Sequence, residues 1–273
     1  PPSRPPRELH QEYRRQRPMR IRDSPAAPSR RGDPRSPAPA PRPASAVVLE
    51  VRTGGVGTVA HRGREVPTAF RKRPRLGPVA VGTEGLEGDA QADRRVHGGP
   101  EKAVCVYPVE HYAAWRDELG ADLPPGAFGE NLLTRGLTED DLLLGDVLAL
   151  GTATLQVSMP RRPCYKLAAV HGLVDLPDRV QASGRTGWYL RVLTPGTVRA
   201  GATAVVVGRP ARSATVREVN RVMNLDRDDL PAAAALAALP TLPARWRDTL
   251  ARRLRGGTED DRARLWGPVS ESP

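Results

Sequence analysis

The chain has 273 residues, 39% of them hydrophobic and only 4% aromatic, which suits one or two domains with an aliphatic core. No apolar run approaches the roughly 20 residues of a membrane helix. No secretory pattern is present, and two cysteines, Cys105 and Cys164, are too few for a disulfide framework. The expected setting is a reducing, cytoplasmic compartment, with no membrane partner. The formal charge of +11 invites a nucleic-acid reading, but the charge is concentrated at one end. Residues 1–45 hold 11 Arg against 4 acids, which is +7 of the total, together with 12 of the 29 prolines. That segment buries too little apolar surface to order itself and reads as a disordered Pro/Arg-rich extension. The remaining +4 is ordinary, so nucleic acid is a disfavoured partner.

In chain order, "AVVLEVRTGGVGTVAHRGREVPTAF" opens the ordered part. Val47, Leu49 and Val51 alternate as in a half-buried strand, and Gly54-Gly55 and "HRGRE" read as turns between short strands. Further strands are predicted at 78–81, 103–107, 131–134, 147–150, 153–159, 189–193, 197–200 and 204–208. One helix interrupts them at "PVEHYAAWRDELG", with Pro108 at its start, Gly120 at its end and Val109, Tyr112, Trp115 and Leu119 on one face. A second is "DLPDRVQASG", closing at Gly184. Many short strands with frequent turns predict a sandwich or barrel over residues 46–210.

Past Arg209-Pro210 the period becomes helical. Thr215 with Glu218 three residues on is a capping-box pattern. "DDLPAAAALAAL" is rich in helix formers, and "LPARWRDTLARRLRGG" places Trp246, Leu250 and Leu254 on one face before a Gly256 stop. Residues 211–256 therefore read as a small three-helix domain and 257–273 as a frayed, disordered tail.

Ordinary metal sites are missing from the sequence. The cysteines are 59 positions apart and the five histidines scattered, with no HExxH, CxxC, EF-hand loop, P-loop or GxSxG elbow. What stands out is "MPRRPCYKLA", where Cys164 lies among Arg161, Arg162 and Lys166. Cations around a thiol favour the thiolate, a better ligand or nucleophile. "GLEGDAQADRRVHGGPEKAV" offers Arg94, Arg95, His97, Lys102 and the flexible Gly98-Gly99, whose backbone N–H groups can face an anion. "FGENLLTRGL" and "SGRTGWYLRVLTPG" complete the set of polar, glycine-rich segments. Of 42 basic residues only Lys72, Lys102 and Lys166 are lysine; a compact, titratable ammonium does what a guanidinium fork cannot.

In that order, "GLEGDAQADRRVHGGPEKAVCVYP", "FGENL", "RRPCYKL" and "GRTGWYLRV" resemble the MOSC family, named for the C-terminal domain of molybdenum cofactor sulfurase. The stretch after residue 210 resembles the three-helix extension of the bacterial stand-alone subgroup linked to hydroxylaminopurine resistance. The resemblance covers about residues 46–256. It implies a mainly β fold, a MOSC-type β-barrel with a few inserted helices, followed by the three-helix domain. It implies the molybdenum cofactor (molybdopterin), with Cys164 as catalytic thiol and metal ligand, and, as a family-level label, pyridoxal phosphate binding. Arg94, His97, Gly98, Gly99, Lys102, Asn131, Arg161, Arg162 and Lys166 are the implied cofactor-binding positions. The implied reaction is two-electron reduction of N-hydroxylated small molecules, base analogues included. The chain carries no cysteine set for an iron–sulfur cluster and no evident flavin or nicotinamide fingerprint, so the electrons would come from a separate donor protein. The alternative is a carrier module, with Cys164 bearing a persulfide and no turnover. The oligomeric state is left open, a homodimer included.

Blander readings stand beside these. Cys105 in "AVCVYP" reads as core. His97 could cap a turn, and His61, His111 and His171 read as surface residues. Glu130 and Asn131 could organise a turn, Asn131 in a left-handed conformation. Arg185 and Trp188 could border the pocket, though Trp188 could equally be core, and Trp246 reads as helix packing.

Overall fold

In a computed structural model, which describes residues 44–267, the alternating segments become thirteen strands. They are β1 Ser45–Thr53, β2 Gly57–His61, β3 Arg64–Thr68, β4 Arg73–Pro74, β5 Val79–Gly82, β6 Gly85–Leu86, β7 Val104–Pro108, β8 Leu132–Arg135, β9 Val147–Leu150, β10 Ala153–Pro160, β11 Trp188–Thr194, β12 Gly196–Val198 and β13 Thr203–Gly208. Seven of them follow the order β13-β9-β10-β11-β7-β8-β1, and β1 pairs back onto β13, so the sheet closes into a barrel. Closure removes the exposed edges of the sheet. All these pairings are antiparallel except β7 with β8, whose connection carries a helix. The two short strands of the hairpin β2–β3 and the small sheet β12-β5-β6 sit outside the ring.

Each segment predicted as a strand is one. The face of β1 differs from the expectation: Ala46, Val48 and Val51 are buried, while Val47 is 42% exposed. A bulge between Val48 and Glu50 slips the register by one residue, and a slip of one moves side chains to the other face. Inside the barrel Val48, Val106, Leu132, Leu148, Leu155 and Leu190 form one aliphatic core.

The helices are α1 Arg94–His97, α2 Glu110–Leu119, α3 Tyr165–His171, α4 Leu176–Ser183, α5 Val216–Asn220, α6 Leu230–Ala237, α7 Ala244–Leu254 and α8 Arg262–Trp266. Gly120, Gly172 and Gly184 close α2, α3 and α4 in the left-handed conformation that glycine adopts cheaply. A second core forms where α2, α3 and α4 cover Tyr107, Trp115, Phe128 and Leu167. In it His111, expected at the surface, is 7% exposed, with Nε2 2.7 Å from Oε2 of the fully buried Glu139. A buried carboxylate needs such partners, and Glu139 also accepts the Gly187 N–H.

The three-helix region is α5 to α7. Thr215 accepts the Glu218 N–H at 3.0 Å, as the capping-box pattern predicts, and Asp229 caps α6 through the Ala232 N–H. After α5 the chain makes a π-helical turn, Arg221–Leu225, and Arg253 of α7 donates to the carbonyls of Val222 and Met223 there. Val219, Val222, Met223, Leu236, Trp246 and Leu250 pack on Leu144 and Met159 of the barrel, so the helices share a core with it. The segment after Gly256 departs from the expected frayed tail: up to Gly267 it is ordered, with α8 held by long-range ion pairs between charges that composition alone reads as solvated. The extension at 1–43 and the last six positions lie outside the described residues.

Gly187 ties the start of β11 to the end of β10. Its φ is +67°, a Cβ there would lie 2.3 Å from the Val106 carbonyl oxygen, and its own carbonyl accepts the Arg161 N–H. Gly187→Ala is expected to destabilise the fold by about 2–3 kcal/mol, read as a lowered urea midpoint at unchanged slope; a neutral substitution would contradict this placement.

Candidate functional site

Strand β10 ends at Pro160, and the next four residues turn the chain from the barrel into α3. Arg161 extends the pairing by donating its N–H to Gly187 O at 3.0 Å. Cys164 is the extended residue before α3, and its carbonyl accepts the Leu167 N–H. Its Sγ lies 3.5 Å from Nε2 of His97 at the end of α1. Gly98 packs against Gln91 and Arg94, where a Cβ would come within 3.1 Å of both. Gly99, at φ +88°, starts the tight turn Pro100–Lys102 that sets Lys102 beside the thiol.

Two hollows meet at Cys164. The inner one, about 660 Å³ counting its mouth, is lined by His97, Lys102, Cys105, Asn131, Arg161 and Lys166, among others. The outer cleft, about 1730 Å³ with its open side, runs between the barrel and the C-terminal helices. His97, Lys102, Arg162, Cys164 and Tyr189 border both. Cys164 is only 9% exposed, yet it belongs to none of the three apolar cores and borders both hollows.

The inner hollow is strongly cationic. Arg161 is 6% exposed, its guanidinium lies 5.7 Å from the centroid of the Phe70 ring, and its Nη1 meets no hydrogen-bond acceptor. Among the described residues neither Arg161 nor Lys166 forms an ion pair; Lys166 Nζ donates to the Pro67 carbonyl at 2.8 Å. Lys72, the third lysine of the chain, forms a buried pair with Asp89 in the same wall. All three lysines thus line one hollow.

This crowding shapes the titration of the neighbours. Burial first, then Lys166, Lys102 and Arg161, push His97 from an ordinary 6.5 to about 4, so its imidazole is neutral at pH 7. Burial, with Arg245 and Arg162 adding repulsion, lowers Lys102 to about 8, and Cys164 opposes that shift. Arg162 falls to about 10 by burial and the nearby Arg264, with Asp261 opposing.

The remaining expected residues divide. Asn131 borders the hollow, but its side chain is engaged in bracing the backbone: Oδ1 accepts the Cys105 N–H and Nδ2 donates to Arg52 O. Its φ is not positive, so the left-handed turn expected there is absent. Glu130 does organise a turn, accepting the N–H groups of Gly126 and Phe128. Arg94 turns away from the thiol to an exposed pair with Glu84 and borders a different hollow. Arg185 lies over the Trp115 ring and pairs with Glu118, and Trp188 is core; neither borders the two hollows. Trp246 packs as expected and also borders the cleft. Sequence reading missed Phe70, Asp89, Gln91 and Tyr189 in the inner wall and Arg245, Asp261 and Arg264 in the outer. The rarity of lysine was the one signal that pointed to Lys72.

Among the described residues no three His, Cys, Asp or Glu side chains cluster to hold a metal. Cys164, with the His97 imidazole beside it and Cys105 elsewhere in the wall, falls short of a complete protein ligand set, so a metal seated here must bring other ligands with it. The buried, unneutralised cations behind the thiol fit a ligand that carries negative charge.

The MOSC domain family matches residues 93–205 and the YiiM-like 3-alpha helix domain residues 215–257. The chain is 40% identical over 206 residues to the uncharacterised protein YflK of Bacillus subtilis, covering 76% of this chain and 93% of that one. It is 40% identical over 208 residues to YiiM of Escherichia coli, covering 74% and 91%. The crystal structure of that protein superimposes with a TM-score of 0.67, covering 83% of this chain and 99% of that one at 34% identity. A protein of Gibberella moniliformis named "Reductase" is 36% identical over 209 residues, which are 74% of this chain but 36% of that longer one.

Two measurements test this geometry. Burial raises Cys105 to about 11, so native protein at pH 8 is expected to take up one iodoacetamide, at Cys164, and a second only when denatured; labelling at Cys105 would sink the assignment. For His97 the unfolded chain binds the proton first, so stability falls as pH drops from about 6.5 towards about 4. Relative to His97→Gln, cofactor-free wild type is expected to lose about 3 kcal/mol over that window in urea melts; parallel curves would contradict it.

Proposed function

The chain belongs to the MOSC family, and from that premise we propose that it binds a molybdenum cofactor and reduces N-hydroxylated compounds, base analogues among them. The observation that carries this reading is the placement of Cys164 between a buried cationic hollow and an open cleft. Arg161, Lys166 and Lys102 would hold the phosphorylated pterin by charge, and Cys164 would ligate the metal. A thiolate is a soft donor suited to that role. When bound, the molybdenum would supply the two-electron couple that reduction of an N–O bond requires.

The protein's own part is orientation and electrostatics. His97, neutral at pH 7 and 3.5 Å from Sγ, can donate one N–H to a thiolate without adding a charge. Phe70 gives Arg161 an aromatic face, and Asn131 fixes the floor of the hollow through the Cys105 backbone. The cleft would admit the substrate, bordered by Tyr165, Tyr189 and Trp246. Converting R–NHOH to R–NH₂ and water consumes two electrons and two protons. A separate donor protein would supply the electrons. In support, the relative named "Reductase" carries this match in about a third of its length.

A second reading has its own observation. A single thiol beside a neutral imidazole, with no three-residue metal cluster among the described residues, also suits a persulfide carrier. Elemental analysis of protein made in a host competent for molybdopterin synthesis separates the two. Molybdenum near one per chain is expected for the wild type and its loss for Cys164→Ala. Arg161→Gln is expected to lower the pterin content about tenfold, as loss of a buried charge-assisted contact does. Thiol-labile sulfur on Cys164 with no metal would overturn the enzyme reading in favour of the carrier.

A further inference from the structure

Residues 258–267 lie beyond both matched domains, yet they reach back to the cysteine loop. Asp261 is the centre of the contact. Its carboxylate accepts Arg162 Nη2 at 2.8 Å and Arg264 Nη2 at 2.7 Å, and it also pairs with Arg227 of the three-helix region. Its side chain is 14% exposed, and the three arginines hold its carboxyl below the ordinary range despite burial. Arg264 spends its second arm on the carbonyl of Pro163, the residue before the thiol, and also donates to Gln181 of α4. Two residues upstream, Glu259 pairs with Arg253, the arginine that caps the π-helical turn, and its carbonyl accepts from Arg227. The strap therefore ties together the cysteine loop, α4, α7 and the segment that carries Arg227, and Asp261 and Arg264 form part of the cleft wall.

We propose that this C-terminal strap belongs to the site and that Asp261 is its positioning residue. It holds Arg162 against both hollows and, through Arg264, fixes the Pro163 carbonyl, so that the Cys164 thiol stays aimed at their junction. Two features favour this over plain surface ion pairing. The carboxylate serves three guanidiniums at once, a network whose arginines come from three separate segments of the chain. The second arm of Arg264 binds main chain next to Cys164, a contact that neutralises nothing and only locates the backbone. In this scheme Asp261 acts through Arg162 and Arg264. The inference rests on Cys164 being the working thiol, and not on which group that thiol holds.

The test compares two alkylating reagents on the full chain, with Cys164 labelling followed by mass spectrometry. Iodoacetamide is neutral and reports access to the thiol; iodoacetate is an anion and reports the cationic field beside it. In Asp261→Asn the neutral reagent is expected to react about tenfold faster, the scale of losing a buried charge-assisted contact, while the preference for the anion falls as Arg162 leaves the hollow. Asp261→Glu is expected to restore most of both. Asp226→Asn, which removes a surface partner of Arg221, is expected to change neither. If Asp261 only neutralises charge, its removal leaves access unchanged and raises the anion preference, and the proposal fails. Should Asp261→Asn not fold, Arg264→Lys keeps the charge but loses the arm to Pro163; unchanged access in that variant would equally overturn the idea. Protein that holds no molybdenum, with or without these changes, would sink the cofactor reading while leaving the labelling comparison intact.

Discussion

A guanidinium held almost out of water, with no described carboxylate to meet it, is the constraint around which the site is arranged. Burying an unpaired charge costs several kcal/mol even after relaxation, so a fold that places Arg161 at 6% exposure must offset that elsewhere. The means are visible: the Phe70 ring beside its charge, and thiol and phenol groups from Cys105, Tyr189 and Cys164 around it. None of these neutralises it. The hollow is therefore already organised for an anion, and His97 and Lys102 are depressed by burial first and by neighbouring cations second.

Closure of the barrel makes this arrangement rigid. β7, β10 and β11 are neighbours in the ring, and the chain entering or leaving each contributes to the hollow: Lys102 just before β7, Arg161 just after β10, and Tyr189 within β11. The site is thus built on paired strands, where side-chain placement is more exact than on free loops. The three helices share a core with Leu144 and Met159, so the far wall of the cleft is as fixed as the near one.

Much of this was legible in the residues, and the gaps have physical causes. Strands read well because each is short, apolar and bounded by Gly, Pro or Asp. The bulge in β1 did not, since nothing in "SAVVLEVRT" distinguishes Val47 from Val48 as the inward residue; the partner strands decide it. Helix α3 was missed because seven residues with no side-chain cap give too little period to read. Cys164, Arg161 and Lys166 were found through their chemistry, whereas Phe70 and Asp89 reach the hollow from distant segments with ordinary local sequence. His111 and the strap failed for one shared reason. Their partners, Glu139 and Arg162 with Arg227, are far away in the chain, and a charged residue without a visible partner is read as wet.

The hollow has no local version. Its inner and outer walls draw on segments from Thr68 to Arg264, and Arg264 follows Cys164 by 100 positions. On a ribosome, the thiol emerges before β11, α7 and α8 exist to enclose it, and contacts this distant form late. A nascent chain consequently offers a bare cysteine and scattered cations, with no pocket to recognise anything. Any occupant of this hollow has to wait for the later segments to fold around it, which makes filling the site a separate event from synthesis.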